Sequence, residues 1–375
     1  MCFYGSFAHF FILTTGKERQ KMNQRYFPSY TIGEDAYKEF NKVCKPLGKR
    51  FLLIGGKNAL SVSSDKLLSE VDSEFELVDK VIYGDECTKE RAEELYKLYK
   101  DKNVDFVVGA GGGKALDTSK YLAKLLGVEV VTLPTIASTC AAASALVVTY
   151  TYDHVFAGFE YLKKPAYHCF IDTRIIAEAP YKYLRAGIGD TLAKHYEVEF
   201  SQRGHKLDYS TQLGLTISSM CSEPLFKYAE AALDACKNNE ISNELEQIIL
   251  AIIITTGMVS MLINPDYNGA MAHALFYGLT ILEGFEDKFL HGDVVGYCTA
   301  VQLAVDNNIP EAVRILKFLK SIGIETSLSE RKIRTTIQNM QPVIITALKD
   351  PDMRVIPYEV TVDMMYKGIT DVEQL

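Results

Sequence analysis

Gly109-Ala110-Gly111-Gly112-Gly113-Lys114-Ala115-Leu116-Asp117-Thr118-Ser119-Lys120 is a glycine-rich segment between an apolar run, 105–108, and a helical pattern, 121–126. A strand, a glycine-rich turn and the start of a helix leave free backbone N–H groups where a phosphate can bind. Glycine is favoured there because a Cβ would hold a diphosphate away from the backbone, and Lys114 adds a positive charge. The segment predicts a phosphate-binding turn, although a tight loop would use the same glycines.

Short apolar runs and helical patterns alternate on both sides of this segment. The pattern predicts strands at 50–54, 77–83, 105–109 and 128–133 and helices at 58–68, 88–102 and 114–126. Repeated β-α-β spacing with buried strands predicts a parallel sheet with helices on both faces. Ligands bind such sheets at the carboxyl ends of the strands, which is where the glycine-rich turn lies.

The second half of the chain has a different pattern. Two apolar runs, 146–150 and 166–171, suggest a hairpin-like β excursion. After Pro180 the pattern predicts long helices at 185–200, 213–236, 242–263, 269–282 and 294–305. We therefore predict the α/β class, with an N-terminal α/β nucleotide-binding domain at 22–180 and a C-terminal all-α domain at 181–375.

Composition limits the classes of function. A chain of 375 residues that is 48% hydrophobic can form two domains with large cores. The net charge of −8 argues against nucleic acid as a partner, because phosphate backbones need a basic surface. The eight cysteines form no C-x-x-C pair, which argues against a disulfide framework and a thiolate zinc site. We expect a cytoplasmic homo-oligomer that acts on a small molecule and does not bind membranes.

Residues 1–21 differ from the rest of the chain. Residues 3–15 are apolar and aromatic but too few to cross a bilayer. They have neither a preceding basic residue nor a clear cleavage site, so a signal peptide is not indicated. We interpret 1–21 as an N-terminal extension from an upstream start site, with a membrane-associating leader as the alternative.

One carboxylate and two imidazoles stand out in the helical half. Asp190 follows Gly189 near the start of a predicted helix, His273 lies inside a helix of small and apolar residues, and His291 lies at a turn. Such a set leaves the open coordination position that a catalytic divalent metal needs. A helix cap, a core histidine and a turn histidine are the simpler interpretations, and the spacing alone does not decide between them.

Several motifs in a fixed order give a more specific indication. They are Gly-Gly-Gly-Lys-x-x-Asp-Thr-x-Lys at 111–120, Leu-Pro-Thr-Ile-Ala-Ser-Thr at 133–139, Ser-Ala-Leu at 144–146, Ile-Asp-Thr-x-Ile-Ile-Ala at 171–177, Gly-Ile-Gly-Asp at 187–190, Ala-His-Ala-Leu at 272–275 and Leu-His-Gly at 290–292. With these motifs the sequence resembles the glycerol dehydrogenase branch of the iron-containing (group III) alcohol dehydrogenase superfamily, over about residues 26–310.

The resemblance implies a Rossmann-like domain, an all-helical domain in a dehydroquinate synthase-like architecture, and an active site between them. The metal ligands of the family fall on Asp190, His273 and His291. The contacts to NAD(H) or NADP(H) fall on Gly112, Gly113, Lys114, Asp117, Thr135, Ser138, Ser144, Leu146 and Tyr150. The metal would polarise the substrate oxygen as a Lewis acid while the cofactor carries the hydride.

The residue four positions after the aspartate bears on the metal. Members of the family that use iron have a histidine there, whereas this chain has Lys194, and His195 lies one residue away from that helix face. Three protein ligands therefore favour zinc over iron.

Cys140 departs from the resemblance in the substrate pocket. Glycerol dehydrogenases carry an aspartate there that contacts the polyol, and a thiol does not accept hydrogen bonds from hydroxyls as a carboxylate does. The stretch 139–142 resembles hydroxycarboxylate dehydrogenase members, which reduce 2-oxo acids. We therefore predict Cys140 as a substrate residue, with a small buried residue as the alternative.

Two further departures concern the pocket wall and the cofactor. Phe276 replaces a second histidine of many glycerol dehydrogenases and makes that wall apolar. The first predicted strand ends in Gly55-Gly56-Lys57, without the acidic residue that binds the adenosine ribose of NAD. Without a carboxylate to repel the 2′-phosphate, and with Lys57 near, we expect the protein to accept NADP(H). The alternative is that Lys57 is an ordinary solvated lysine.

These observations predict a metal-dependent NAD(P) oxidoreductase that acts on a small hydroxy or oxo compound, with a 2-oxo acid as the first choice. A glycerol or diol dehydrogenase and a non-catalytic nucleotide-binding relative are the alternatives. Dehydroquinate synthase is disfavoured, since it needs a dense cluster of lysine, arginine and histidine.

Overall fold

The structure, a computed structural model, describes residues 24–153 and 156–375. Its centre is a six-stranded parallel sheet in the order β1-β8-β5-β4-β2-β3, which confirms the predicted sheet. The strands are β1 (Tyr30–Ile32), β2 (Arg50–Gly55), β3 (Glu76–Ile82), β4 (Phe106–Gly111), β5 (Glu129–Pro134) and β8 (His168–Ile171), and a separate hairpin contains β6 (Leu146–Tyr150) and β7 (Phe156–Tyr161).

Helices cover both faces of the sheet. They are α1 (Phe40–Cys44), α2 (Lys57–Glu70), α3 (Lys89–Tyr99), α4 (Gly113–Leu126) and α5 (Thr173–Ala177), with 3₁₀ turns at Ala36–Glu39 and Lys45–Leu47. Alternate residues of β2 point to opposite faces, so Phe51 joins an aromatic core with Phe40 and Phe106 on one side. Leu52 joins a second core with Leu122 on the other. Burial of both faces explains why β2 reads as a continuous apolar run.

The remainder of the chain is helical, and residues 172–375, all of them described, contain no strand. The helices are α6 (Lys182–Gln202), α7 (Tyr209–Ser218), α8 (Glu223–Lys237), α9 (Asn243–Leu250), α10 (Thr256–Leu262), α11 (Met271–Leu279), α12 (Phe285–Lys288), α13 (His291–Val305), α14 (Ile309–Ser321), α15 (Ile337–Leu348) and α16 (Val362–Val372). Short 3₁₀ turns lie at Ser219–Cys221, Pro265–Tyr267 and Pro351–Arg354. Helix α13 is buried along almost its whole length and packs against α6, α11, α14 and α16.

The predicted pairing of the hairpin was wrong. Strand β6 pairs antiparallel with β7, whereas β8 lies in the main sheet between β1 and β5. Every residue of β8 is buried, as expected of a central strand in a parallel sheet. Strand β7 is mostly exposed, so its aromatic residues gave no clear two-residue pattern of burial in the sequence.

Two predicted helices are interrupted. The helix predicted at 213–236 is α7 and α8, separated by a turn before Pro224, which is tolerated only in a first helical turn. The helix predicted at 242–263 contains a π-helical segment, Ala251–Thr255, between α9 and α10. By length and apolar composition alone Asn243–Leu262 could cross a membrane, but 61% of its most apolar window is buried inside the fold, as in a core helix.

The sheet order places a crevice beside the glycine-rich turn. The chain runs from β2 to β3 on one side and then returns to β4 on the other side of β2. Such a reversal opens a crevice at the carboxyl ends of the two strands, where open α/β sheets bind their ligands. Gly111, at the end of β4, has φ +147°, a conformation that side chains other than glycine rarely adopt.

Candidate active site

Asp190, His273 and His291 come together in the helical part of the molecule. The Nε2 atoms of His273 and His291 each lie 3.4 Å from Oδ1 of Asp190. One ligand atom of each residue lies within 4.8 Å of the others, and all three residues are partly buried. The structure therefore brings together one carboxylate and two imidazoles from positions that span 101 residues of the chain, from Asp190 to His291.

Close packing of α6 against α13 brings Asp190 to His291. A Cβ on Gly189 would lie 2.2 Å from the carbonyl oxygen of Gly292, and one on Gly292 would lie 1.8 Å from that of Ala186. Only glycine fits at such a backbone contact. The two glycines beside the ligands therefore set the distance between the helices that carry them.

The local positions of two predicted ligands differ from expectation. Asp190 lies in the middle of α6, not near its start, since the helix begins at Lys182 and runs through both glycines. His291 is the first residue of α13 and not a turn residue. The sequence pattern predicted this helix at 185–200, so its start was placed three residues too late.

Two carboxylates surround His273. Its Nδ1 lies 2.6 Å from Oε2 of Glu197, which is fully buried. Burial alone would lower the pKa of His273, but Glu197 and Asp190 outweigh it and raise that pKa. Burial likewise opposes ionisation of Asp190, yet its hydrogen bonds to His273 and His291 hold its pKa well below the ordinary value. The site thus favours an ionised Asp190 facing positive charge.

This donor set fits a divalent metal ion. Ligand atoms about 2.0–2.1 Å from a tetrahedral zinc ion lie about 3.4 Å apart, close to the two separations of 3.4 Å around Asp190. Glu197 supplies the carboxylate partner that metal-binding histidines usually have on their second nitrogen. Asp190, His273 and His291 would hold the ion and leave a position for substrate.

The predicted phosphate turn lies at the start of α4. Gly112 is the N-cap of this helix and Gly113 its first residue, so backbone N–H groups face the crevice between β2 and β4. The ammonium of Lys114 lies 2.5 Å from the Glu86 carboxylate, which is almost fully buried in the loop after β3. Glu86 was not predicted, and it partly neutralises the lysine next to the turn.

The carboxylate of Asp117 is held by contacts within the protein. Its Oδ2 accepts a hydrogen bond from the Val148 backbone at 2.9 Å, and its Oδ1 lies 2.8 Å from the buried Lys120 ammonium. Asp117 therefore connects α4 to β6, and both of its carboxylate oxygens already have protein partners. Its assignment as a cofactor contact stays a prediction.

The remaining predicted cofactor residues line the segment that follows β5. Thr135 donates its backbone N–H to Gly111 at 3.2 Å, and Ser138 is half-buried two residues before Cys140. Ser144 is buried, and Leu146 begins β6. Two of the predicted residues contact the turn region, since Thr135 bonds to Gly111 and the Tyr150 ring lies near Lys114. The cofactor roles of Thr135, Ser138, Ser144, Leu146 and Tyr150 stay predictions.

Gly187 connects this segment to the metal ligands. A Cβ on Gly187 would lie 2.2 Å from the carbonyl oxygen of Ala137, which lies between Thr135 and Ser138. Helix α6 therefore contacts the predicted cofactor segment one turn before Asp190. The contact brings the segment that holds the predicted nucleotide residues next to the helix that carries Asp190.

A row of aromatic rings extends along the site. The ring of Tyr150 lies 5.4 Å from the Lys114 ammonium and 6.4 Å from the ring of Phe156. Phe156 stacks on Tyr277 at 5.8 Å, and Tyr277 lies 6.4 Å from His273. Tyr150 was predicted, whereas Tyr277 was missed, although it lies four residues after His273 on the same helix face.

Phe276 forms an apolar wall beside the second histidine. Its ring packs edge-on against His291 with centroids 4.3 Å apart, and it is 3% exposed. The prediction that this wall is apolar agrees with the structure.

Cys140 lies near the ligand cluster. Burial raises the pKa of its thiol, and the charge of Lys194 offsets this only in part. The thiol is therefore protonated at neutral pH and is a poor nucleophile. Lys194 donates a hydrogen bond to the Asn268 carbonyl, which gives its ammonium a partner outside the ligand set.

Asp352 is a further carboxylate that sequence reasoning missed. It lies in the 3₁₀ turn near the C-terminus, and a Cβ on Gly269 would lie 2.1 Å from its Oδ2. Burial and the charge of Glu197 raise the pKa of Asp352 to about 6. Only the tertiary packing of this turn against the segment before His273 brings it close, so no local signal in the sequence identifies it.

The parallel sheet with a glycine-rich turn at its switch point and the helical part with an Asp-His-His cluster define an α/β fold with an N-terminal sheet domain and a C-terminal helical domain. The model of the family described as iron-containing alcohol dehydrogenase matches residues 28–172. A glycerol dehydrogenase of Pseudomonas putida is 30% identical over 354 residues, which are 92% of this chain and 95% of that protein. Hydroxycarboxylate dehydrogenase A of Escherichia coli K12 is 31% identical over 86% of this chain and 89% of that protein.

Solved structures of similar fold include glycerol dehydrogenases, in agreement with the sequence relatives. The crystal structure of glycerol dehydrogenase from Schizosaccharomyces pombe has a TM-score of 0.84 and 25% identity, and the match covers 94% of this chain and 91% of that chain. The chain belongs to the iron-containing alcohol dehydrogenase family. It is an oxidoreductase of that family, within its glycerol dehydrogenase-like part.

Proposed function

We propose that this protein is a metal-dependent, NAD(P)-linked dehydrogenase that interconverts a small vicinal diol or polyol and the corresponding hydroxy carbonyl compound. The gathering of Asp190, His273 and His291 beside the predicted cofactor segment carries the proposal. A divalent cation bound there would act as a Lewis acid towards the substrate oxygen. A bound oxidised nicotinamide cofactor would accept the hydride of the carbinol carbon, and the hydroxyl proton would leave to water.

The residues of the chain have separate parts in this scheme. The backbone at Gly112 and Gly113 binds the diphosphate at the N-terminus of α4. Tyr150 and the neighbouring aromatic rings cover the cofactor and keep water out of the site. Asp352 is a carboxylate near His273 that accepts a hydrogen bond from a second hydroxyl group of the substrate. Asp352 would thereby contact the polyol in place of the aspartate that glycerol dehydrogenases have at the position of Cys140.

A second candidate substrate, a 2-hydroxy acid or 2-oxo acid, is favoured by two observations. Cys140 removes a negative charge near the ligands, and Lys194 lies one helical turn after Asp190 on the same face of α6. Within residues 24–153 and 156–375, Lys194 has no carboxylate within 4.0 Å of its ammonium. An ammonium without a close acidic partner could pair with a substrate carboxylate.

Zinc is the proposed metal. The position four residues after Asp190, where iron-using members have a histidine, holds Lys194, whose ammonium donates to a carbonyl and offers no lone pair. Three protein ligands and one open position suit a catalytic zinc ion.

Kinetic comparison of two variants tests the substrate class. The zinc-loaded enzyme is assayed with glycerol, 1,2-propanediol and a series of 2-oxo acids, each with both nicotinamide cofactors. A diol dehydrogenase loses at least about tenfold in kcat/KM for diols on Asp352→Asn, a hydrogen-bond effect of about 1.4 kcal/mol. The kcat/KM of a diol dehydrogenase changes little on Lys194→Met.

The reverse pattern, in which Lys194→Met raises KM for 2-oxo acids, would establish the second candidate. Lys227→Met, an exposed lysine on α8, is the matched control.

A further inference from the structure

The carboxylate of Glu197 makes three hydrogen bonds to the segment around His273. It lies on α6 seven residues, or two helical turns, after Asp190, so both carboxylates share one face of the helix. Its Oε1 accepts hydrogen bonds from the backbone N–H groups of Ala270 at 3.0 Å and His273 at 2.8 Å. Its Oε2 lies 2.6 Å from Nδ1 of His273, and the side chain is fully buried.

These contacts give Glu197 two tasks that can be separated. Helix α11 has no side-chain cap of its own, and Glu197 satisfies backbone donors at its N-terminus from a neighbouring helix. The second task concerns the imidazole. A carboxylate only accepts hydrogen bonds, so Nδ1 must carry a proton, which leaves the lone pair on Nε2, the atom that faces Asp190.

We propose that Glu197 is the positioning residue of the metal centre: it fixes the tautomer and ring orientation of His273 so that Nε2 is available to the metal ion. This inference rests on the proposed metal site but not on the identity of the substrate. Carboxylate partners of metal-binding histidines typically change metal affinity by about 10–100-fold when they are removed.

The variant Glu197→Gln reverses the hydrogen-bonding pattern without changing the volume. If the amide oxygen keeps its two backbone donors, the amide NH₂ faces Nδ1 and donates to it, which places the imidazole proton on Nε2. If the amide flips, its NH₂ faces the N–H groups of Ala270 and His273, so donors oppose donors. Neither arrangement supports the native contacts of His273.

A matched control separates the capping task from the tautomer task. Gln302 on α13 accepts a hydrogen bond from the Ala272 backbone N–H at 3.2 Å, so it also caps α11, but it does not contact the imidazole of His273 in these hydrogen bonds. Gln302→Met therefore removes a cap and leaves the imidazole proton where it is. Glu199→Gln, at an exposed carboxylate on α6, controls for loss of charge.

The test measures the affinity of the full-length protein for Zn²⁺ by competition with a chromophoric chelator, together with the melting temperature. We expect Glu197→Gln to weaken zinc binding by about 10–100-fold, while Gln302→Met lowers the melting temperature and leaves zinc affinity near that of the wild type. Equal zinc affinity in Glu197→Gln and the wild type would overturn the proposed role of Glu197 but not the proposed metal site. An equally large loss of affinity in Gln302→Met would also overturn it, since capping would then explain both.

A second measurement needs no variant, in case Glu197→Gln does not fold. The ¹⁵N chemical shifts of the His273 ring in the zinc-loaded wild type report which nitrogen carries the proton. We expect the proton on Nδ1, and a proton on Nε2 would contradict the inference. A wild type that bound no zinc would overturn both this inference and the proposed metal site. A wild type that binds zinc with the His273 proton on Nε2 would overturn only the inference, so the two failures are distinguishable.

Discussion

The ammonium of Lys120 lies 2.8 Å from Oδ1 of Asp117, one turn earlier on α4, and both side chains are buried. Lys120 also donates to the Ala141 carbonyl at 2.9 Å, and Asp117 accepts from the Val148 backbone at 2.9 Å. The pair therefore ties the helix of the phosphate-binding turn to the segment that carries the predicted cofactor residues Ser144 and Leu146.

Replacing Lys120 should destabilise the protein strongly. Lys120→Met leaves a buried carboxylate without its partner, which typically costs about 3–5 kcal/mol. Urea unfolding at neutral pH measures the loss. The double variant Lys120→Met/Asp117→Asn should lose less than the sum of the single variants, because the two residues interact directly. A Lys120→Met protein as stable as the wild type would contradict this account of the pair.

An acidic residue at position 56 should select against NADP(H). Gly56 has φ −75°, and a Cβ there would make only ordinary contact with Tyr83 at 3.5 Å, so side chains are tolerated. Gly56→Asp places a carboxylate at the carboxyl end of β2, where it would repel the 2′-phosphate. We expect KM for NADPH to rise at least about tenfold, an electrostatic effect of about 1.4 kcal/mol, with little change for NADH. Gly56→Asn is the control of equal size, and an unchanged NADPH/NADH ratio in Gly56→Asp would be the contrary result.

Cys140→Asp should shift the substrate preference towards polyols. The new carboxylate would accept hydrogen bonds from hydroxyl groups and repel a substrate carboxylate. The variant should show higher kcat/KM for glycerol and lower kcat/KM for 2-oxo acids than the wild type. Cys140→Ser, which adds no charge, should resemble the wild type for both. If Cys140→Asp and Cys140→Ser behave alike, Cys140 does not contact the substrate.

His168 should make stability depend on pH. Its ring is 5% exposed and lies between the hydroxyls of Ser29 and Thr31 at 2.8 and 2.9 Å. Burial lowers the pKa of His168 from 6.5 to about 4. Between these values the unfolded chain binds a proton that the folded chain does not, so stability is present above pH 6.5 and falls as the pH drops towards 4.

The slope contributed by His168 should approach about 1.4 kcal/mol per pH unit within that window. Urea unfolding from pH 4 to 7, with a chelator present throughout, measures it as the difference between the wild type and His168→Gln. The exposed His205 provides the control His205→Gln, which should keep the wild-type slope. Parallel stability curves for the wild type and His168→Gln would show that the ring titrates normally in the fold.

The sequence predicts the sheet better than the site. Strands β2, β4 and β5 and the turn after β4 carry strong local signals, because continuous apolar runs and clustered glycines reflect burial and backbone conformation directly. Strand β8 was assigned to the wrong sheet since pairing partners depend on tertiary structure. The start of α6 was predicted three residues late, at 185, and the close contact between Gly189 and Gly292 depends on packing against α13, which the local sequence does not show.

Glu197 and Asp352 show what sequence reasoning missed. The two-turn spacing from Asp190 to Glu197 lies inside the helix predicted at 185–200, but the hydrogen bonds of Glu197 to Ala270 and His273 depend on how α6 packs against a distant segment. Asp352 reaches the site from 79 positions after His273 by the packing of a short turn near the C-terminus. Such contacts depend on how distant segments pack, so they have no signature in local composition or spacing.

Metal content measured alongside turnover tests the central claim most directly. The wild type should bind one zinc ion per chain, lose hydride transfer when a chelator removes it, and still bind the nicotinamide cofactor. His273→Ala and His291→Ala should bind no ion and show no turnover at retained cofactor affinity. Full turnover by the metal-free wild type, or by either histidine variant, would contradict the assignment of Asp190, His273 and His291 as the reaction centre.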